Sequence, residues 1–169
     1  MSLSGTVACT PKATVAGGSV DRFQLFVDGV RTSSCTAGSQ LTLDTTTLAN
    51  GYHELRVVAI TADAVETQGR LVVPVFFRNH GRQLTMTATP QEVPLNGQVR
   101  IQVDGSGIDG VLVFGMGRIL GRVEGTSGSI DVPAVMLGRG RVMVYAAGRG
   151  GRSPAEAVNA APVPILVGE

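Results

Sequence analysis

Few side chains in this sequence could do chemistry, and spacing decides how each is read. Two are histidines, His53 and His80, and two are cysteines, Cys9 and Cys35. Nucleophilic catalysis needs a histidine beside a Ser or Cys and oriented by an acid. No G-x-S-x-G elbow or similar local signature nominates such a set. His53 opens the run His53-Glu54-Leu55-Arg56-Val57 and shares a strand side with Leu55 and Val57. It is therefore expected to be structural, hydrogen-bonding a neighbouring turn, in preference to a metal or catalytic role. His80 falls in a polar stretch and is expected to be solvated. The cysteines are too few for zinc and lack C-x-x-C spacing, which leaves a disulfide or two idle thiols. Asp21, Asp28, Asp44, Asp63, Asp104, Asp109 and Asp131 are dispersed, and none opens a D-x-D-x-D-G calcium loop. Asp28 and Asp104 each precede glycine and read as turn formers. Gly115-Met116-Gly117-Arg118-Ile119-Leu120-Gly121 has neither the lysine nor the following helix of a phosphate loop, and reads as a hairpin. No catalytic residue, metal ligand or cofactor is expected, and the chain is not expected to be an enzyme.

Arginine is the more suggestive residue. Gly138-Arg139-Gly140-Arg141 and Gly148-Arg149-Gly150-Gly151-Arg152 flank one strand-like run, with Arg118 and Arg122 nearby in sequence. Counted alternately, Arg139, Arg141, Met143 and Tyr145 fall on one side of a strand, and Val142, Val144 and Ala146 on the other. The valine side must face the core. Arg139, Arg141 and Tyr145 are then the first candidate for a ligand surface, suited to an acidic polysaccharide or a neighbouring domain held by screened charge. The competing reading is that these arginines keep a β-surface soluble and discourage edge pairing.

Composition limits what could position such a row. An apolar content of 43% in 169 residues is enough for a core and argues against wholesale disorder. Valine, threonine and 23 glycines favour strands and turns, and no window carries a helical stripe. The net charge is +1, with six basic and six acidic groups in residues 1–80 and eight and seven in residues 81–169. That even balance is not the footprint of a nucleic-acid binder. No run of 18 apolar residues is long enough to cross a membrane as a helix. The first residues do not form a charged and apolar secretion signal, and the chain reads as part of a longer protein.

Strand-like runs recur with turn signals between them: Thr6–Thr10, Val20–Val27, Val30–Ser33, Gln40–Leu43, His53–Thr61 and Leu71–Phe77, then seven more from Leu84–Thr89 onward. Asp28-Gly29 suits a type I′ hairpin turn. Pro74 places the Leu71–Phe77 strand at an edge or a bulge. The run Leu48-Ala49-Asn50-Gly51-Tyr52-His53-Glu54-Leu55-Arg56-Val57-Val58-Ala59 has a weaker copy at Leu137–Ala146. With Gly51 laid on Gly138, Leu55 falls on Val142, Val57 on Val144, Ala59 on Ala146, and Gly140 stands where His53 would be. A unit seen twice suggests two small all-β modules, divided at the polar stretch Asn79-His80-Gly81-Arg82.

Residues 20–29 (V-D-R-F-Q-L-F-V-D-G), 41–45 (L-T-L-D-T), 48–59 and 71–79 (L-V-V-P-V-F-F-R-N) resemble the bacterial immunoglobulin-like domains, and the match covers most of residues 4–79. Residues 81–169 match more loosely and are equally similar to a fibronectin III-like sandwich. The resemblance implies two tandem immunoglobulin-like β-sandwiches, residues 1–80 and 81–169. It implies a non-catalytic spacer or protein-interaction module of a larger exported or cell-surface bacterial protein, with neighbouring domains or other surface proteins as partners. The alternative is an extracellular glycan-binding or polyanion-binding module. No Trp and only two Tyr weigh against sugar stacking. Exported sandwiches often use a disulfide, so Cys9 and Cys35 are expected to lie close enough to bridge.

Overall fold

The computed structural model describes residues 1–168 and consists almost wholly of strands. The chain divides into two compact units. One comprises Met1–Thr47 with His53–Asn79, and the other Leu48–Tyr52 with the chain from His80 onward.

In the first unit the strands are β1 (Ser2–Leu3), β2 (Thr6–Cys9), β3 (Val20–Val27), β4 (Val30–Thr36), β5 (Leu41–Asp44), β6 (Asn50–Thr61, from His53 onward) and β7 (Gln68–Phe77). One sheet runs β4-β3-β6-β7-β1, and β2 pairs with β5 to make a second, two-stranded sheet. The core forms where the alternating apolar side of β3, Phe23, Leu25 and Val27, meets Leu41 and Leu43 of β5. Leu55, Val57 and Ala59 of β6 stand opposite Val27, Leu25 and Phe23, as alternation requires. Val58 and Ile60, on the other side of the strand, are buried, whereas Leu55, Val57 and Ala59 are half-buried. The pairing of β7 with β1 engages only Phe76 and Phe77, beyond Pro74.

The second unit continues with β8 (Gln83–Thr89), β9 (Glu92–Val93), β10 (Gln98–Ser106), β11 (Gly110–Gly115), β12 (Arg118–Glu124), β13 (Ser127–Pro133), β14 (Gly140–Arg149), β15 (Ala157–Asn159) and β16 (Val163–Val167). A three-stranded sheet, β13-β10-β8, is one layer. The other has β12, β11 and β14 in order, with β16 and β15 following one another along β14, against Gly140–Val144 and Ala147–Arg149. Val99, Ile101 and Val103 from the first layer meet Val111, Val113, Val142, Val144 and Ile165 from the second in one core. Asn50 and Gly51, which belong to this unit, lie parallel to Val158 and Asn159.

The two units share one wiring. In each, a two-residue strand (β1, β9) runs parallel to the last strand (β7, β16). In each, a hairpin (β3–β4, β11–β12) closes on a two-residue turn with both residues at positive φ: Asp28 and Gly29 at 49° and 85°, Met116 and Gly117 at 51° and 72°. In each, a short 3-10 turn, Thr45–Thr47 or Ala134–Met136, leads into the long strand that pairs with the hairpin. This two-layer antiparallel arrangement is the immunoglobulin-like β-sandwich.

The structure corrects the internal alignment by two residues. Gly51 at φ 86° corresponds to Gly140 at φ 94°, not to Gly138, because both open the long strand after the 3-10 turn. Leu48 then matches Leu137, Leu55 matches Val144, and the place of His53 is taken by Val142, which is equally buried. Asp104 is also reassigned. It lies inside β10, opposite Thr85 and Ser127, and forms no turn. A Cβ on Gly105 would press on Ile108 and the Gln83 carbonyl, so close packing accounts for that glycine.

Candidate functional site

His53 is buried and structural, in the role its position suggested. With the Asp28 carboxylate able only to accept, the His53 Nδ1–H donates to Asp28 Oδ2 at 2.6 Å, and the ring stacks on Phe77 at 4.3 Å between centroids. Asp28 Oδ1 accepts the Glu54 N–H at 2.9 Å. Burial alone would push the Asp28 carboxyl up. The His53 and Glu54 hydrogen bonds, with the imidazole charge, outweigh it and hold the carboxyl below its ordinary range. This cluster ties the β3–β4 turn to β6.

The outer face of the second unit is different. Tyr145 on β14 stands opposite Phe114 on β11, and Phe114 opposite Ile119 on β12. The two rings are 5.6 Å apart at 13°. Tyr145 is 41% exposed, Phe114 37% and Ile119 63%. Cross-strand partners share a face, so register extends this apolar band. Met143 faces Pro164, and Leu112 faces Ala147. At one end Arg141, Leu166 and Glu92 form a row. At the other, Arg122 lies opposite Leu112 and reaches Glu124 at 3.8 Å, beside Arg149 in a shallow surface groove. The arrangement is an apolar centre between charged ends, each carrying arginine and glutamate.

Of the residues singled out by sequence, Arg141 and Tyr145 share this face. Arg139 does not extend the row. It precedes β14 and lies between Gly138 at φ 76° and Gly140 at φ 94°, where left-handed backbone breaks strand alternation. Phe114, Ile119 and Leu166 were not legible, because they join Tyr145 and Arg141 through register rather than along the chain.

Cys9 and Cys35 are both thiols. Cys9 stands opposite Leu41, and Cys35 opposite Phe23. Burial, and after it the charge of Cys9, pushes the Cys35 thiol up. Among the described residues no group of three or more His, Cys, Asp or Glu is arranged to hold a metal ion, and no helix is long and apolar enough to cross a membrane.

The polar stretch 79–82 holds two residues that sequence reasoning passed over. Asn79 accepts the Gly5 N–H at 2.9 Å and the Thr45 hydroxyl at 3.1 Å, and donates to the Thr45 carbonyl at 2.7 Å. Arg82 donates to the Gly107 and Gly150 carbonyls and approaches Glu156 at 3.7 Å. Each fastens loops of its own unit.

No family model matches this chain, and no curated protein does. Solved structures to which it is similar include fibronectin- and immunoglobulin-type modules. The fibronectin(III)-like modules of CbhA from Clostridium thermocellum align over 98% of this chain and 87% of theirs, at 14% identity and a TM-score of 0.39. A chimeric titin Z1Z2 tandem aligns over 100% and 95%, at 15% identity and 0.49. The D0-D1 domain of intimin aligns over 95% and 89%, at 17% identity and 0.39. These likenesses are loose, and the shared strand wiring is what carries the fold.

Proposed function

We propose that this chain is a non-catalytic interaction module of a larger exported or cell-surface bacterial protein. Its contact surface is the outer face of β12, β11, β14 and β16. The partner is another protein domain, a neighbour in the parent chain or on the same surface. The observation that supports this reading is the uncovered ring pair Phe114–Tyr145 with Ile119 beside it. An apolar, aromatic centre with a charged rim is the anatomy of a protein interface. The rim signs are mixed: Glu92 shares a row with Arg141, and Glu124 contacts Arg122. Such a rim suits a protein surface of mixed charge better than a polyanion.

A second reading, an acidic polysaccharide, is favoured by the exposed Arg118, Arg122, Arg139 and Arg141. Two variants separate the readings. Phe114→Ser with Tyr145→Ser should weaken binding to the adjoining domains of the parent protein by about tenfold or more, measured by calorimetry, since buried aromatic anchors dominate interface energy. Unchanged affinity would remove the interface reading. Retention on a heparin column at low salt, lost on Arg139→Ser with Arg141→Ser, would establish the polysaccharide reading in its place.

A further inference from the structure

We propose that Cys9 and Cys35 form an intramolecular disulfide that fastens the two sheets of the first unit together. Three observations converge on it. Each cysteine stands opposite a buried core residue, Cys9 opposite Leu41 and Cys35 opposite Phe23. Cross-strand partners share a face, so each cysteine shares the side of its strand with a core residue, Cys35 on β4 half-buried and Cys9 exposed at the end of β2. They also lie at the same end of the sandwich. The Cys35 thiol donates to the Ser39 carbonyl at 3.6 Å, and Cys9 pairs with Leu41 two residues further on. Finally, the bond would tie down a strand with few partners. β2 is mostly exposed and belongs to a sheet of only two strands. The second unit has three strands in the equivalent layer. The rise of the Cys35 thiol caused partly by the Cys9 charge fits two sulfurs within electrostatic reach.

The chemistry is thiol–disulfide exchange with an oxidised dithiol or glutathione disulfide as electron acceptor. Cys9 is the more exposed thiol. Its thiolate attacks the oxidant, forming a mixed disulfide and releasing one oxidant sulfur as thiolate. Cys35 then loses its proton and attacks Cys9 Sγ, so that the Cys9–Cys35 bond forms and the second oxidant sulfur leaves. The two protons lost by the cysteines end on the two oxidant sulfurs. The protein is oxidised by two electrons, and the oxidant is reduced by two. This inference does not depend on the interface reading, since it concerns the other unit.

The test uses the full chain in glutathione buffers of rising oxidised fraction. Intact mass should fall by that of two hydrogen atoms, and denatured, unreduced protein should take up no alkylating reagent. Amide exchange in β2 and β5 should slow by roughly three-hundredfold relative to reduced protein, the size expected for closing a loop of this length. Cys9→Ser and Cys35→Ser each leave one thiol, which should retain a glutathione adduct that the wild type resolves. If the wild type keeps adducts on both cysteines as the single variants do, or links two chains instead, the sulfurs do not meet and the proposal fails.

Discussion

Asp28 serves two purposes at once. Its backbone adopts φ 49° in the β3–β4 turn, and its carboxylate binds His53 and the Glu54 N–H. The folded carboxyl is held below its unfolded value. Its contribution to stability is therefore complete above the unfolded pKa, about 3.9, and is lost as pH falls through the folded value. Asp28→Asn keeps the turn and removes the charge. The stability difference between wild type and variant, from urea titrations, should be full near neutral pH and shrink below about pH 4. A difference that stays constant down to strongly acidic pH would show that the charge contributes nothing. The turn contact of His53 was legible because an Asp-Gly turn and a histidine opening a strand suggest one another. Asn79 and Arg82 were not. Their partners lie far away in sequence, most of them backbone groups, and a polar side chain looks the same whether it faces water or a distant loop.

At the scale of elements, most strands could be read from alternation, and the repeat could be read with them, displaced by two residues. Strand side chains repeat every two residues. A shift of two therefore leaves every residue facing the same way, and apolar pattern cannot detect it. What detects it is register against the hairpin: Leu55 stands opposite Val27 and Val144 opposite Gly115, each the last residue before the two-residue turn. The short strands β1 and β9 were missed because two residues are too few to show any period. The hairpin turn yields a prediction. Met116 holds φ 51° at a position that favours Asn or Gly, and its side chain is exposed. Met116→Asn should raise the stability of the second unit by about 1 kcal/mol, because Asn tolerates left-handed backbone that costs other residues. No rise in the denaturant midpoint would mean that Met116 has compensating contacts.

For the whole molecule, we propose that the two units are separately stable. Fragments 1–80 and 81–169 should each unfold cooperatively in calorimetry. The second fragment should melt below its unit in the intact chain, since it lacks Leu48–Tyr52 and with them the parallel partner of Val158 and Asn159. Loss of cooperativity in both fragments would make the chain a single folding unit. The plan of two similar units could be read from composition and repeat, whereas the assignment of Leu48–Tyr52 to the second unit could not, because it rests on pairing between residues about a hundred positions apart. The parallel pairing of β1 with β7, and of β9 with β16, has a mechanical consequence. Tension applied through the chain on either side of a unit pulls two parallel neighbours in opposite directions along their length. Their hydrogen bonds are then loaded together in shear instead of being peeled apart one by one, so each unit resists stretching most strongly where its two-residue strand pairs with its last strand.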